Sequence, residues 1–248
     1  MKKNNPNTIK LNIVAMILSL ICISCGINKT DPQLQGHTDS KENTQNLTNE
    51  SQILEALYKD LESKDPTTQL TTIGKILEIQ KEQENTQIPK IASQNLDFLA
   101  TFKIDSHDNI SEDDQMKIKR IMYSSLNYET SKIAILKEIL EKLIKNDQHK
   151  EIVRKLLYYA AMGIELELNK NLQSIKTKEL NALEPKEFNL ILTFAKEDLK
   201  KTQRFAKTLN ETIEAYSQDQ QGIKTDDAKL ANYINKNFET FFPKMPHN

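Results

Sequence analysis

The chain has two cysteines and five glycines in 248 residues, and each scarcity closes off a class of protein. Cys22 lies in an N-terminal leader and Cys25, directly after it, is expected to carry lipid, so the remaining sequence has no thiol for a disulfide, a metal site or nucleophilic catalysis. A fold built from it must stand on its apolar core alone, and the chain is long enough to bury one. Few glycines also leave little material for hairpin turns, phosphate-cradling loops or a dinucleotide fingerprint. There is no basic surplus either. The formal charge is −1, and removing leader lysines Lys2, Lys3 and Lys10 takes it to −4, so nothing calls for nucleic acid. What is abundant is Leu, Ile, Lys, Glu, Gln and Asn, a helix-forming composition.

The leader has the parts of a bacterial export signal. A basic start precedes an apolar run from Leu11 to Ile23, followed by Ser24, Cys25 and Gly26. The run is too short for a helix crossing roughly 30 Å of hydrocarbon. Cleavage after Ser24 is therefore expected, with residues 1–24 lost and Cys25 carrying lipid at a membrane face. Residues 25–50 contain only Ile27, Leu34 and Leu47 as large apolar side chains, too few to offset the entropy of ordering, and read as a disordered tether.

Helical periodicity begins at Ser51. Ile53, Leu54, Leu57, Tyr58 and Leu61 form one stripe ending before Asp65 and Pro66, which suit an N-cap and first helical position. Leu70, Ile73, Ile76 and Leu77 form a second, with a break expected around Asn85 to Pro89. Ile91, Leu96, Leu99 and Phe102 then make a separate segment. Ser111 with Asp114 signals the start of a helix through Met116, Ile121 and Met122, and Thr130 is expected to cap the next, carrying Ile133, Leu136, Ile139, Leu140, Leu143 and Ile144. From Glu151 to Ile175 apolar residues leave little room for a polar face, predicting a central rod surrounded by other helices, with Gly163 as a point of close approach. After Pro185 a heptad seam runs through Phe188, Leu192, Ala195, Leu199, Thr202, Ala206, Leu209, Ile213 and Tyr216, expected to pack on its own bundle until Gln221 and Gly222 end it. Thr225 opens a last helix with Leu230, Tyr233, Ile234, Phe238, Phe241 and Phe242, stopped by Pro243. The expected architecture is all-α: a compact multi-helix bundle over residues 51–248 around a central apolar helix, preceded by the tether.

Four stretches carry a family resemblance: LNIVAMILSLICISC ending at Cys25, DFLATFKIDSHDNISEDDQMKIKRIMYSSLNYE from Asp97 to Glu129, LKEILEKL from Leu136 to Leu143, and TQRFAKTLNETIEAYSQD from Thr202 to Asp219. Together they resemble the paralogous outer-surface lipoproteins of Lyme disease borreliae that include the complement regulator-acquiring surface proteins. The resemblance implies a helical domain tethered by lipid to the outer membrane at the cell surface. It also implies a host serum protein as partner, because relatives capture complement regulators, late complement components or plasminogen. In the regulator-binding relative the C-terminal helix pairs two protomers. Here that helix is brief, so a monomer is expected, with a homodimer as the alternative.

Residues that could carry chemistry are sparse. His37, His107, His149 and His247 fall in tether, loop or tail and read as solvated. A calcium loop beginning at Asp105 fails because Ile110 stands at the glycine position and Met116 at the bidentate glutamate. Glu165 and Glu167 lie in the most apolar helix but lack the histidines of a helical di-iron site, so exposure or pairing with lysine is expected. No cofactor, metal or enzymatic activity is expected. For partner binding the candidates are a basic strip, Lys196, Lys200, Lys201, Arg204 and Lys207, and the terminal aromatics Phe238, Phe241 and Phe242. The expected function is a surface module binding a host serum protein and aiding immune evasion. The alternative is an adhesin for host or tick surface glycans or proteins, using the basic strip.

Overall fold

A computed structural model describes residues 65–105, 110–177 and 183–242, together with residues 53, 54, 56–58 and 61. The expected leader, Cys25 as the expected lipidation site, the expected tether, His37, His107, His247 and Pro243 lie outside the described residues. Within them the fold is all-helical and no strand occurs. Seven helices follow in order: α1 (Pro66–Ser93), α2 (Glu112–Ser125), α3 (Thr130–Ile144), α4 (Lys150–Arg154), α5 (Met162–Thr177), α6 (Pro185–Ser217) and α7 (Asp227–Asn237). A π-helical segment, Lys155–Ala161, joins α4 to α5 and makes them one rod.

Four of these helices, α1, α2, α5 and α6, each touch the other three and form the nucleus of the bundle. Helix α3 packs on α4, α6 and α7, so a second group of helices gathers around the far part of α6. At 1.5 Å per residue the 33 residues of α6 span about 50 Å, long enough to serve both groups. One face of α6 makes this possible. Leu192, Ala195, Leu199, Phe205, Leu209, Ile213 and Tyr216 are buried along it, as the heptad seam predicts, although Phe205 takes the core position while Thr202 and Ala206 are only half-buried. The seam is closed at its end by Tyr216, whose hydroxyl donates to Glu138 on α3 at 2.9 Å.

Helix starts follow their capping chemistry. The Asp65 carboxylate accepts from the backbone N–H of Thr67 and Thr68, and the Ser111 hydroxyl accepts from Asp114 N–H, both as the sequence predicts. Two other caps sit one residue away from expectation. Glu129, in extended conformation, is the N-cap of α3 and Thr130 its first residue. Asp226, accepting from Ala228 and Lys229 N–H, caps α7 in place of Thr225. The long helix also ends early, at Ser217, where Asp219 adopts a φ of 50° and its carboxylate accepts from Lys224 N–H.

The expected break near Pro89 does not occur. Helix α1 continues through the proline to Ser93, and the segment expected from Ile91 to Phe102 is a 3₁₀ turn at Phe98–Ala100. Proline inside a helix costs about 3 kcal/mol, but Ile88 and Ile91 on either side are buried, and each buried aliphatic side chain contributes about 1.5–3 kcal/mol. Pro89 itself is exposed, as is Asn85, whose carbonyl loses its helical donor on the wet side. Asn95, with φ of 57°, then terminates the helix while Leu96 N–H bonds back to Ile91 O at 3.0 Å. The following turn is clamped from α2: Tyr123 OH donates to Asp97 at 2.8 Å, Lys119 pairs with Asp97 at 2.7 Å, and Leu99 N–H donates to Tyr123 OH at 3.2 Å.

The rod is core-forming but not encircled. Val153, Leu156, Leu157, Ala160, Ala161, Ile164 and Leu168 are buried, whereas Tyr159 and Leu166 are about half exposed. Seven residues apart, they share the outward face, and Gly163 lies between them on it. A Cβ on Gly163 would meet nothing within 4 Å, so the glycine permits no close helix approach. Gly163→Ala is therefore expected to stabilise the fold by about 0.5–1 kcal/mol through helix propensity. Urea unfolding checks this, and a lowered midpoint would mean that a neighbour does occupy the space.

Candidate functional site

The basic strip lies along α6, opposite its seam. Lys200, Arg204 and Lys207 are exposed, and Lys196 and Lys201 half-buried. The strip is interleaved with acids rather than purely cationic. Lys201 pairs with Glu167 of α5 at 2.7 Å, Lys207 with Glu211 at 3.9 Å, and Lys196 donates to Gln69 of α1 at 3.1 Å. A shallow groove of about 680 Å³ runs along Lys200, Lys201, Arg204 and Lys207 and also takes in Glu167, Glu197, Asp198 and Gln203. The Asp198 carboxylate accepts from Asn171 of α5; burial first, then the Glu167 charge, raises its pKa. A surface mixing both signs in this way gives directional contacts to a protein better than it holds a polyanion.

Sequence reasoning missed two residues on the same helix. Leu190 and Phe194 are 55% and 50% exposed, a large apolar pair one turn apart toward the start of α6. Their signal was available, since neither falls on the seam positions Phe188, Leu192, Ala195 and Leu199. Of the two, Phe194 belongs to the aromatic residues enriched at protein interfaces. Conversely, Phe238 and Phe241 are buried, not surface anchors. They stack with Phe205 of α6, ring centroids 5.4–6.0 Å apart, and only Phe242 stays half-exposed, under Lys155 at 5.9 Å.

Glu165 also departs from expectation. It is 3% exposed, and its partner is an arginine: Arg120 of α2 donates to it at 3.1 Å and Asn169 at 2.8 Å. Glu84 of α1 approaches the same guanidinium, its Oε2 3.3 Å from Arg120 Nε. Three helices of the nucleus thus meet at one buried cation between two carboxylates. Burial raises the pKa of both acids, against the pull of Arg120 and, more weakly, of Lys81. Burial and then the Glu165 charge push Glu84 up to about 7 against the pull of Arg120, while Glu165 keeps the two donated hydrogen bonds. His149 is likewise not solvated, lying 3.7 Å from Asp227 at the contact of α4 with α7. Among the described residues no group of three histidine, cysteine or acidic side chains is placed to hold a metal ion.

These observations define an all-helical bundle domain whose long helix α6 carries on its outward side a mixed-charge strip and two exposed apolar side chains. Residues 77–247 match the family model described as Borrelia Bbcrasp-1 domain containing protein. Among solved structures, the membrane attack complex assembly inhibitor BGA71 from the Lyme disease agent Borreliella bavariensis is 40% identical, with a TM-score of 0.62 over 71% of this chain and 98% of that one. A second structure of BGA71 matches at the same identity and TM-score over 68% and 97%. The Borrelia burgdorferi outer surface lipoprotein BBA64 is 18% identical, with a TM-score of 0.49 over 75% of this chain and 86% of that one. No curated protein matches. The chain belongs to the Borrelia Bbcrasp-1 domain family, as the resemblance in its sequence implies.

The buried cluster gives a pH dependence of known sign. The folded state keeps a proton on Glu84 between about pH 4.5 and 7, where the unfolded chain has released it, so stability falls as pH rises through that window and levels off above it. Glu84→Gln is expected to flatten this part of the curve and to exceed the wild type at pH 8 by about 1–2 kcal/mol. Urea titrations of both proteins at pH 5 and pH 8 measure the difference. Parallel curves would show that Glu84 ionises as it does in water.

Proposed function

We propose that this protein is a non-enzymatic surface lipoprotein, held at the outer membrane through lipid on Cys25, that binds a host complement protein and blocks assembly of the membrane attack complex. One observation carries the reading: the chain covers 98% of BGA71, described as an inhibitor of that assembly, at 40% identity. The N-terminal signal and Cys25 support placement at the surface, where complement acts. Exposed Leu190 and Phe194 beside the mixed-charge strip support a protein partner, since burying apolar side chains of this size contributes about 1.5–3 kcal/mol each.

Two measurements test it. Purified mature chain, added to terminal complement components on erythrocytes, is expected to reduce lysis in a dose-dependent way, with Leu190→Ala plus Phe194→Ala weakening the effect. Undiminished lysis at saturating protein would reject the proposal. Against the glycan reading stands the pairing of Lys201 with Glu167 and of Lys207 with Glu211. On immobilised heparin the protein is therefore expected to elute at or below physiological ionic strength, about 0.15 M. Retention well above that, lost on Lys200→Glu with Arg204→Glu, would favour an adhesin.

A further inference from the structure

Tyr159 and Leu166 are nearly as exposed as Leu190 and Phe194, yet they lie on the rod formed by the π segment and α5 and play no part in the proposed function. Their direction is fixed by the neighbours of Leu166. Glu165 points inward at Arg120 of α2, Glu167 points sideways to Lys201 of α6, and Leu166, about 100° from each around the helix, points outward.

Two contacts set the register of α5 on α6. Lys201 pairs with Glu167, and Asn171 donates to Asp198. Four residues onward in α5 match three residues back in α6, so the two helices run side by side in opposite directions. Leu166 then stands roughly level with Thr202 of α6, and Tyr159, two turns further, roughly level with Leu209. Leu190, Phe194, Leu166 and Tyr159 therefore follow one another along a two-helix face about 30 Å long, at 1.5 Å per residue. From Phe194 on they recur at about 10–12 Å, which is two helical turns. Gly163 opens a notch between the last two, since a Cβ there would meet nothing within 4 Å.

Charge on this face differs from that of the whole chain. From Phe194 to Leu209 of α6, and at the matching levels of the rod, the exposed charged residues are Lys170, Lys200, Arg204, Lys207 and Glu197, four cations to one acid in a chain of formal charge −1. Glu167 and Asp198 are half-buried between the helices, engaged by Lys201 and Asn171.

We propose that the outward faces of α5 and α6 together dock an acidic amphipathic helix about five turns long. That a host complement protein presents this helix rests on the proposed function; the fit of the face to it does not. An extended segment would need a strand edge to pair with, whereas a helix brings its backbone hydrogen bonds with it. Laid along the line between α5 and α6, its apolar stripe meets Phe194, Leu166 and Tyr159 at every second turn and enters the notch at Gly163. Acids on its two flanks reach Lys170 on one rim and Arg204 on the other.

Fluorescence anisotropy with the full mature chain tests the assignment. The probes are a designed helical peptide of about 20 residues, with leucine on one stripe and glutamate and alanine elsewhere, and the same peptide with lysine for glutamate. The acidic peptide is expected to bind saturably, and the lysine peptide at least about tenfold more weakly. Tyr159→Ala with Leu166→Ala is expected to weaken the acidic peptide about tenfold. Gly163→Glu is expected to weaken it at least as much while leaving the urea midpoint equal or higher, because glutamate is the better helix former. No binding of the acidic peptide, equal binding of the lysine peptide, or binding indifferent to both sets of substitutions would each overturn the proposal. So would inhibition of erythrocyte lysis by the wild type that the same variants retain in full. Peptide binding with these dependences, in a protein that fails to inhibit lysis, would uphold the docking face and reject the proposed function alone.

Discussion

The buried face of α6 is the constraint on which the other helices depend. A helix of this length gains little from propensity alone, because most of the stability of a helix in a protein comes from packing its apolar side. Here that side is shared. The nucleus of α1, α2 and α5 covers one stretch, α3 covers another, and Phe205 receives Phe238 and Phe241 from beyond α7. Remove the seam and the two groups of helices lose their common wall, since the other contacts between them involve short elements. The seam contains a small residue, Ala195, and larger aromatics, Phe205 and Tyr216, all of them buried.

Much of this was legible in the sequence because periodicity and capping are local. The seam after Pro185, the Asp65 and Ser111 caps and the buried stripe of α3 follow from residues within a turn or two of one another. What misled was every feature decided at a distance. Pro89 reads as a breaker until Ile88 and Ile91 are seen to be buried against the bundle. Gly163 reads as a contact until its face of the rod proves to look outward, and the apolar richness of that rod hid the half-exposed Tyr159 and Leu166. The π segment has no sequence signature at all. The strip was placed on the surface correctly, but the acids that pair with it come from α5 as well as α6.

The polar interior follows the same logic. Arg120 comes from α2, Glu84 from α1 and Glu165 from α5, and none of these pairs is predictable from spacing because the partners are far apart in the chain. A buried ion pair is a poor source of net stability, since desolvation cancels much of its attraction. Its value is orientation. A guanidinium between two carboxylates has few acceptable positions, so the cluster fixes how three apolar helices, which could otherwise slide, sit relative to one another.

Division of labour between the faces of α6 has a consequence for ligand choice. Leu190, Phe194, Lys200 and Arg204 on its outward face are exposed, and surface changes usually alter stability by no more than about 0.5 kcal/mol. Changes along the seam are felt in every helix. A family built on this plan can therefore exchange Leu190, Phe194, Lys200 or Arg204 freely while the bundle persists, which is how relatives of one fold come to differ in what they bind. On the proposed function, recognition resides in those outward side chains and not in the bundle.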